Sequence, residues 1–195
     1  FGPFGNFDTF LPLVGKHQIE NLKIALAVLN ELKNRGFEIS LSAVKKGIAQ
    51  TQLPGRFEII SKKPLIIYDV AHNEDSFKAL HENIARLKPC PTNPPLSPFS
   101  KGGEGGFYLI FGCNKDKDIN YAIKNIFPKA KQILLVKADN PRAMEPVEIY
   151  EKAKKYQKNL LIAGSVKKAI EYLKIKTDND FVLIITGSFY LYPVG

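Results

Sequence analysis

The stretch Leu65-Ile66-Ile67-Tyr68-Asp69-Val70-Ala71-His72-Asn73 passes from a continuous apolar run into polar residues that open a helical pattern. Strands that are apolar along their whole length are expected where both faces of a sheet are covered, as in parallel sheets. Short apolar runs alternate with amphipathic helices from this stretch to the C-terminal end. The alternation predicts an α/β fold built on a mostly parallel, doubly wound sheet.

The elements of this sheet can be assigned from residue 57 onward. The predicted strands are 57–60, 65–69, 107–111, 132–136, 159–162 and 181–186. The predicted helices are 75–87, 119–126, 146–156 and 166–173. Each helix lies between two strands, which is the order that a doubly wound sheet requires.

Residues 1–52 have a different pattern. After an extended start, apolar residues recur at helical spacing over 17–35, and Gly36 is a suitable helix stop. A second helix, capped by Ser40 or Ser42, is predicted to run to about residue 50. Leu53-Pro54-Gly55 has the composition of a turn. We therefore predict two domains, a helical region over 1–52 and the α/β domain over 53–195.

One segment interrupts the α/β pattern. Residues 89–106 carry five prolines followed by four glycines and few apolar side chains. Such a composition cannot bury enough apolar surface to order itself. We expect a disordered surface insertion there, with a functional lid as the alternative.

Two polar clusters beside the first strands predict a nucleotide site. Arg56 precedes the first strand, and Asp69 and His72 follow the second at the start of a helix. Arginine offers a fork of donors to phosphate, a carboxylate accepts from ribose hydroxyls, and a helix N-terminus suits anions. Ligands of open α/β sheets bind at such strand ends. The alternatives are a surface ion pair for Arg56 and helix capping by Asp69 or His72.

Further candidates follow other predicted elements. Asn21, one turn beyond His17 in the first helix, could offer its amide to adenine or phosphate, or could belong to a polar helix start. Lys115 or Lys117 after the third strand could meet a phosphate or a carboxylate, and Arg142 after the fourth could bind a carboxylate. Ser188, after the last strand, could belong to a donor-rich turn near a ligand. Charged turns, Asx-turns and a strand end are the corresponding structural interpretations.

Composition narrows the classes of protein. No apolar run approaches the roughly 20 residues that span a bilayer, and the N-terminus lacks the features of a signal peptide. The sequence does not begin with Met, so we expect a fragment. Cys90 and Cys113 make neither a disulfide framework nor a metal set, which favours a reducing cytoplasm. The net charge of +9 is mostly lysine on helical faces, and no nucleic-acid-binding motif is present.

Taken in order, six motifs resemble the C-terminal part of the Mur ligase superfamily, and within it the folylpolyglutamate synthase/dihydrofolate synthase family. The resemblance covers nearly the whole chain outside 89–106. The motifs are Leu13-x-Gly15-x-His17-Gln18-x-x-Asn21, Pro54-Gly55-Arg56-Phe57-Glu58, Asp69-x-Ala71-His72-Asn73, Gly112-x-x-x-Asp116-Lys117-Asp118, Asn140-Pro141-Arg142-Ala143 and Thr186-Gly187-Ser188.

The resemblance implies a Rossmann-like Mur ligase C-terminal domain at 53–195, preceded by the helical tail of a central domain. It implies an ATP- and Mg²⁺-dependent ligase in which the carboxylate of dihydropteroate or folate becomes an acyl phosphate that L-glutamate attacks. Asn21, Arg56, Asp69 and His72 would bind ATP, and no residue of the chain is assigned a catalytic or metal-ligating role. Lys117, Arg142 and Ser188 would be weaker candidates for contact with the incoming amino acid or the phosphates. The family's glycine-rich phosphate-binding loop and its lysine are absent, so we expect the chain alone to be inactive.

The resemblance also sets the expected partners and alternatives. They are the folate substrate, L-glutamate and an N-terminal ATPase domain, with no nucleic acid or membrane, and we expect a cytoplasmic monomer. Asp-Asn-Pro-Arg at 139–142 also occurs in ligases that add diaminopimelate to peptidoglycan precursors, so a ligase of that type is one alternative. A non-catalytic nucleotide-binding module is another.

Overall fold

The computed structural model describes residues 4–87, 106–177 and 181–192. The chain divides into two compact units, Phe1–Pro54 and Gly55–Gly195. The boundary predicted from the sequence, between 52 and 53, lies two residues before this division. The predicted insertion at 89–106 lies outside the described residues, apart from Gly106.

The first unit is helical. Helix α1 spans Lys16–Asn34 and helix α2 spans Leu41–Ala49. Of the two serines proposed as caps for α2, Ser40 has that function, because its hydroxyl accepts a hydrogen bond from the Ala43 amide at 3.1 Å. A small apolar core joins the buried Val44 and Ile48 of α2 to Phe4 and to partly buried side chains of α1.

The second unit is built on a six-stranded sheet in the order β1-β2-β6-β3-β4-β5. The strands are β1 Glu58–Lys62, β2 Leu65–Asp69, β3 Phe107–Phe111, β4 Ala130–Leu135, β5 Leu160–Ile162 and β6 Val182–Thr186. Only the β1–β2 pair is antiparallel, and the other four pairs are parallel. The mostly parallel α/β sheet expected from the sequence is therefore confirmed.

Helices cover both faces of this sheet. They are α3 Glu74–Ala85 and α4 Pro146–Ala153 on one face and α5 Val166–Lys176 on the other. Successive strand residues alternate between the two cores: Ile67 packs with Phe77 of α3, whereas Ile66 packs with Leu173 of α5. Burial on both faces explains why the central strands are apolar throughout.

The helix predicted at 119–126 has a different form. The chain makes a π-helical turn over Ala122–Ile126 and then a short 3-10 turn over Phe127–Lys129. Pro128 lies in the 3-10 turn, and a proline has no amide with which to continue an α-helical hydrogen-bond ladder. The Phe127 amide instead reaches the Ala122 carbonyl, five residues back.

Candidate functional site

The carboxyl ends of four parallel strands meet at one edge of the sheet. Asp69 of β2 pairs with Thr186 of β6, Thr186 pairs with Phe111 of β3, and Phe111 pairs with Leu135 of β4. Helix α3, which follows β2, and the π-helical turn, which follows β3, pack into one core, whereas Leu191, after β6, packs into the opposite core. The connections therefore diverge at β6, and such a divergence opens a ligand crevice in doubly wound sheets.

The loop that carries Arg56 is attached to the end of β2. Gly55 is buried, its carbonyl accepts from the Val70 amide at 2.8 Å, and its own amide donates to Glu58 Oε2 at 2.8 Å. Gly55 has a φ of +72°, and a Cβ there would lie 2.5 Å from Val70 Cγ1. Glycine is therefore required at this position, and the exposed Arg56 extends from a fixed point of the backbone.

Asp69 holds the other side of the same loop. Its Oδ2 accepts from the Phe57 amide and its Oδ1 from the Ala71 amide, both at 2.9 Å, and the residue is only 8% exposed. Phe57 has a φ of +52°, which a bulky side chain rarely adopts, and its ring is buried in the core. Strained backbone of this kind persists where the surroundings over-determine it, and it is common at functional sites.

His72 is oriented by the connection from β2 to α3. Its Nδ1 lies 2.8 Å from the Val70 carbonyl, so Nδ1 carries the proton and donates to that oxygen. In the neutral ring, Nε2 then keeps its lone pair. The cap of α3 is Asn73, which forms a reciprocal capping box with Ser76, so the capping function considered for Asp69 and His72 is wrong.

The turn after β6 is also tied to β2. The Tyr68 hydroxyl donates to the Phe189 carbonyl at 2.7 Å, and burial, followed by the charges of Asp69 and Glu58, raises the pKa of Tyr68 above its ordinary value. This hydroxyl therefore remains a neutral donor at physiological pH. Ser188 is buried, and its Oγ accepts from the Tyr190 amide at 3.3 Å.

Lys117 and Arg142 lie in two loops that pair with each other. The Lys115 amide donates to the Arg142 carbonyl at 2.9 Å, which joins the loop after β3 to the loop after β4. Lys117 Nζ is 3.0 Å from Asp116 Oδ2. The hydrogen bond from Lys117, with a weaker contribution from the Arg142 charge, lowers the pKa of Asp116. Both cations are thus placed near one exposed carboxylate.

Asn21 belongs to the first unit, on α1. It is exposed, and its side-chain amide donates to Gln18 Oε1 at 3.1 Å. Gln18 is buried and in turn donates to His17 Nε2 at 3.0 Å. These contacts form the polar helix start considered from the sequence, and nucleotide binding by Asn21 stays a prediction.

The structure thus brings the predicted residues of the second unit to one edge of the sheet, in the order of the strands. Arg56, Asp69 and His72 lie at the end of β2, Ser188 follows β6, and Lys117 and Arg142 follow β3 and β4. Sequence reasoning missed the structural contribution of Glu58, although the residue stands in the same motif as Arg56. Its contact with an amide three residues earlier depends on the fold of the loop, and no pattern of residue types signals it.

Metal-binding clusters and membrane-spanning helices are both absent from the part of the chain that the structure describes. Across 4–87, 106–177 and 181–192, no three histidine, cysteine, aspartate or glutamate side chains form a group that could hold a metal ion. In the same part of the chain, no helix combines the length and apolar content needed to cross a membrane.

The chain belongs to the Mur ligase family, because the family described as Mur ligase, glutamate ligase domain, matches residues 55–189. It is 27% identical to the dihydrofolate synthase/folylpolyglutamate synthase of Buchnera aphidicola subsp. Schizaphis graminum, over 95% of this chain and 40% of that protein. It is 31% identical to the UDP-N-acetylmuramoyl-L-alanyl-D-glutamate–2,6-diaminopimelate ligase of Chlamydia caviae, over 89% of this chain and 34% of that protein.

A solved structure agrees with these relatives. Escherichia coli FolC in complex with DHPP and ADP superimposes with a TM-score of 0.69 at 28% identity, over 95% of this chain and 39% of that one. The fold and the family expected from the motifs are therefore confirmed. The chain spans about two fifths of the length of the dihydrofolate synthase/folylpolyglutamate synthase relatives that it matches.

Proposed function

We propose that this chain supplies the glutamate ligase domain of an ATP-dependent ligase that joins L-glutamate to dihydropteroate or folate through an acyl phosphate. The exposed Arg56, held between two anchored neighbours at the carboxyl edge of the sheet, is the observation that carries the proposal. The similarity to dihydrofolate synthase/folylpolyglutamate synthases supports the choice of substrates.

In this proposal the residues at the end of β2 bind the nucleotide. Arg56 presents five N–H donors to phosphate oxygens, because a guanidinium binds such oxygens in a fixed fork. His72 offers Nε2 as a hydrogen-bond acceptor, since Nδ1–H already donates a hydrogen bond to the Val70 carbonyl. Asp69 contributes by holding the loop, and its direct contact with ribose stays a prediction. The ADP bound to the similar E. coli protein supports nucleotide binding.

The remaining assignments rest on the family resemblance. Lys117, Arg142 and Ser188 are proposed to contact the incoming amino acid or the phosphates, and Asn21 to contact the adenine or a phosphate of ATP. Mg²⁺ is proposed as the metal ion of the complete enzyme. A cytoplasmic location and a monomeric state stay predictions.

Nucleotide binding can be tested on the chain itself by NMR. Titration of the ¹⁵N-labelled chain with ADP should shift the amides of 55–57 and 70–72, and NMR detects millimolar binding. Arg56→Ala should weaken the free energy of ADP binding by about 1–3 kcal/mol, the scale of a hydrogen bond to a charged group. Arg86→Ala, which removes an exposed arginine 3.8 Å from Glu82, is the matched control and should bind like wild type. Shifts confined to other residues, or equal binding by both variants, would refute the assignment.

Ligase activity requires a cradle for the γ-phosphate, and the sequence contains no Gly-x-x-x-x-Gly-Lys-Ser/Thr loop. We therefore propose that the 195-residue chain alone releases no phosphate from ATP in the presence of a folate substrate and glutamate. Addition of the N-terminal part of a dihydrofolate synthase/folylpolyglutamate synthase, in cis or in trans, should restore glutamate-dependent phosphate release. Release by the chain alone would contradict this proposal.

A peptidoglycan-precursor ligase is the second candidate. The 31% identity to the Chlamydia caviae diaminopimelate ligase and the exposed Arg142 after Asn140-Pro141 favour it. The reconstituted enzyme distinguishes the two functions by its substrates. Turnover with dihydropteroate and glutamate supports the first, and turnover only with a muramoyl peptide and diaminopimelate supports the second. Nucleotide binding without either turnover would indicate a non-catalytic module.

A further inference from the structure

The Arg56 loop is anchored on both faces of the sheet by two different carboxylates. Asp69 holds the Phe57 amide on the face that α3 covers. Glu58 holds the Gly55 amide at 2.8 Å on the opposite face, where Gly55 lies against the Tyr68 ring. Arg56 is the one residue between these two anchors, and it is exposed whereas both neighbours are buried.

Glu58 also reaches the segment after β6. Its Oε1 lies 3.4 Å from the Tyr192 hydroxyl, which donates to it, and its charge is the largest cause of the raised pKa of Tyr192. The Tyr192 ring meets the Tyr68 ring edge to face at a centroid distance of 5.0 Å. One carboxylate thus accepts from the Arg56 loop with one oxygen and from the end of the described chain with the other.

We propose that Glu58 is a positioning residue for Arg56. The functional part of this proposal rests on the nucleotide site proposed above. The Gly55 amide is buried, so it needs an acceptor, and a charged acceptor holds it more strongly than a neutral one. With the amide fixed by Glu58 and the carbonyl fixed by Val70, the peptide that precedes Arg56 has one orientation. Glu58 therefore acts on the ligand through Arg56 and makes no contact with the ligand itself.

The first test needs no nucleotide. In Glu58→Ala, protection of the Gly55 amide against hydrogen exchange should fall by about tenfold, the effect of one lost hydrogen bond, and the Arg56 amide should become more mobile by ¹⁵N relaxation. Glu58→Gln keeps one carbonyl acceptor and should retain most of the protection. Glu82→Ala, an exposed glutamate of α3, is the control and should leave both amides unchanged. Unchanged protection in Glu58→Ala would overturn the proposal.

The second test asks whether Glu58 acts through Arg56. ADP affinity, measured by NMR titration, should fall about threefold to tenfold in Glu58→Ala and by less than about twofold when the same change is made in an Arg56→Ala background. A merely structural effect would lower affinity equally in both backgrounds and would overturn the proposal. Glu58→Gln should bind ADP nearly as wild type does, and it serves if Glu58→Ala does not fold.

The two tests separate this proposal from the proposed function. If the wild-type chain gives no ADP response while Glu58→Ala loses Gly55 protection, the nucleotide site is refuted and the positioning of the loop stands. If Arg56→Ala abolishes ADP binding while Glu58→Ala alters neither protection nor affinity, the nucleotide site stands and the positioning is refuted.

Discussion

Asp69→Ala should destabilise the second unit substantially. The Asp69 carboxylate accepts from two amides at 2.9 Å each, and both donors belong to buried residues, Phe57 and Ala71. Hydrogen bonds to a charged group contribute about 1.5–3 kcal/mol each, and a buried amide left without an acceptor costs about 1–3 kcal/mol. Because Asp69 is 8% exposed, water can replace part of this loss. We expect a decrease in the free energy of unfolding of about 2–5 kcal/mol.

Urea unfolding followed by tyrosine fluorescence measures this change selectively. The chain has eight tyrosines and no tryptophan, and every tyrosine lies beyond residue 55, so the signal reports only on the second unit. Asp139→Ala, an exposed aspartate in the loop after β4, is the control and should change stability by about 0.5 kcal/mol or less. Asp69→Asn keeps one acceptor oxygen and should fall between the two. A loss no larger than that of Asp139→Ala would refute the reasoning.

Two further changes probe the same unit. Gly55→Ala would place a Cβ 2.5 Å from Val70 Cγ1 at a φ of +72°. The free energy of unfolding should fall by about 1–2 kcal/mol from the backbone conformation alone, and the urea midpoint should fall with it. An unchanged midpoint would mean that the loop has another conformation. Burial, with a contribution from the Lys129 charge, lowers the pKa of His81, so the unfolded chain takes up a proton first as pH falls. The free energy of unfolding should therefore decrease as pH drops below about 6.5 and then level off below the folded-state pKa, and His81→Gln should flatten that dependence; an identical pH profile in the variant would contradict this.

The sequence predicts most of the sheet because its strands are apolar on both faces. The bounds of β2 and β3 are those expected, since each strand is a short apolar run between polar or glycine residues. β1 begins one residue later than predicted because Phe57 has a φ of +52°, which no strand residue adopts. That conformation arises from contacts with Asp69, twelve residues away, and local propensity carries no information about it.

The candidate site is predictable in its position but not in its contacts. Parallel strands bring their carboxyl ends to one edge, so the motifs after β2, β3, β4 and β6 had to converge. Which oxygen accepts from which amide depends on the exact path of the loop. The sequence suggested that Asp69 binds the ligand, whereas both of its oxygens accept backbone amides in the folded chain.

Binding and positioning place opposite demands on a side chain, and this difference separates Arg56 from the two carboxylates beside it. A group that binds a ligand must be exposed in the free protein, as Arg56 is, whereas a group that fixes a loop must satisfy buried donors, as Asp69 does. Loss of Arg56 should therefore weaken nucleotide binding while leaving stability nearly unchanged. Loss of Asp69 should lower both, because the strained Phe57 backbone is held by its carboxylate. A loss of binding in Asp69→Asn thus identifies a ligand contact only where it exceeds the loss that follows from the weakened loop.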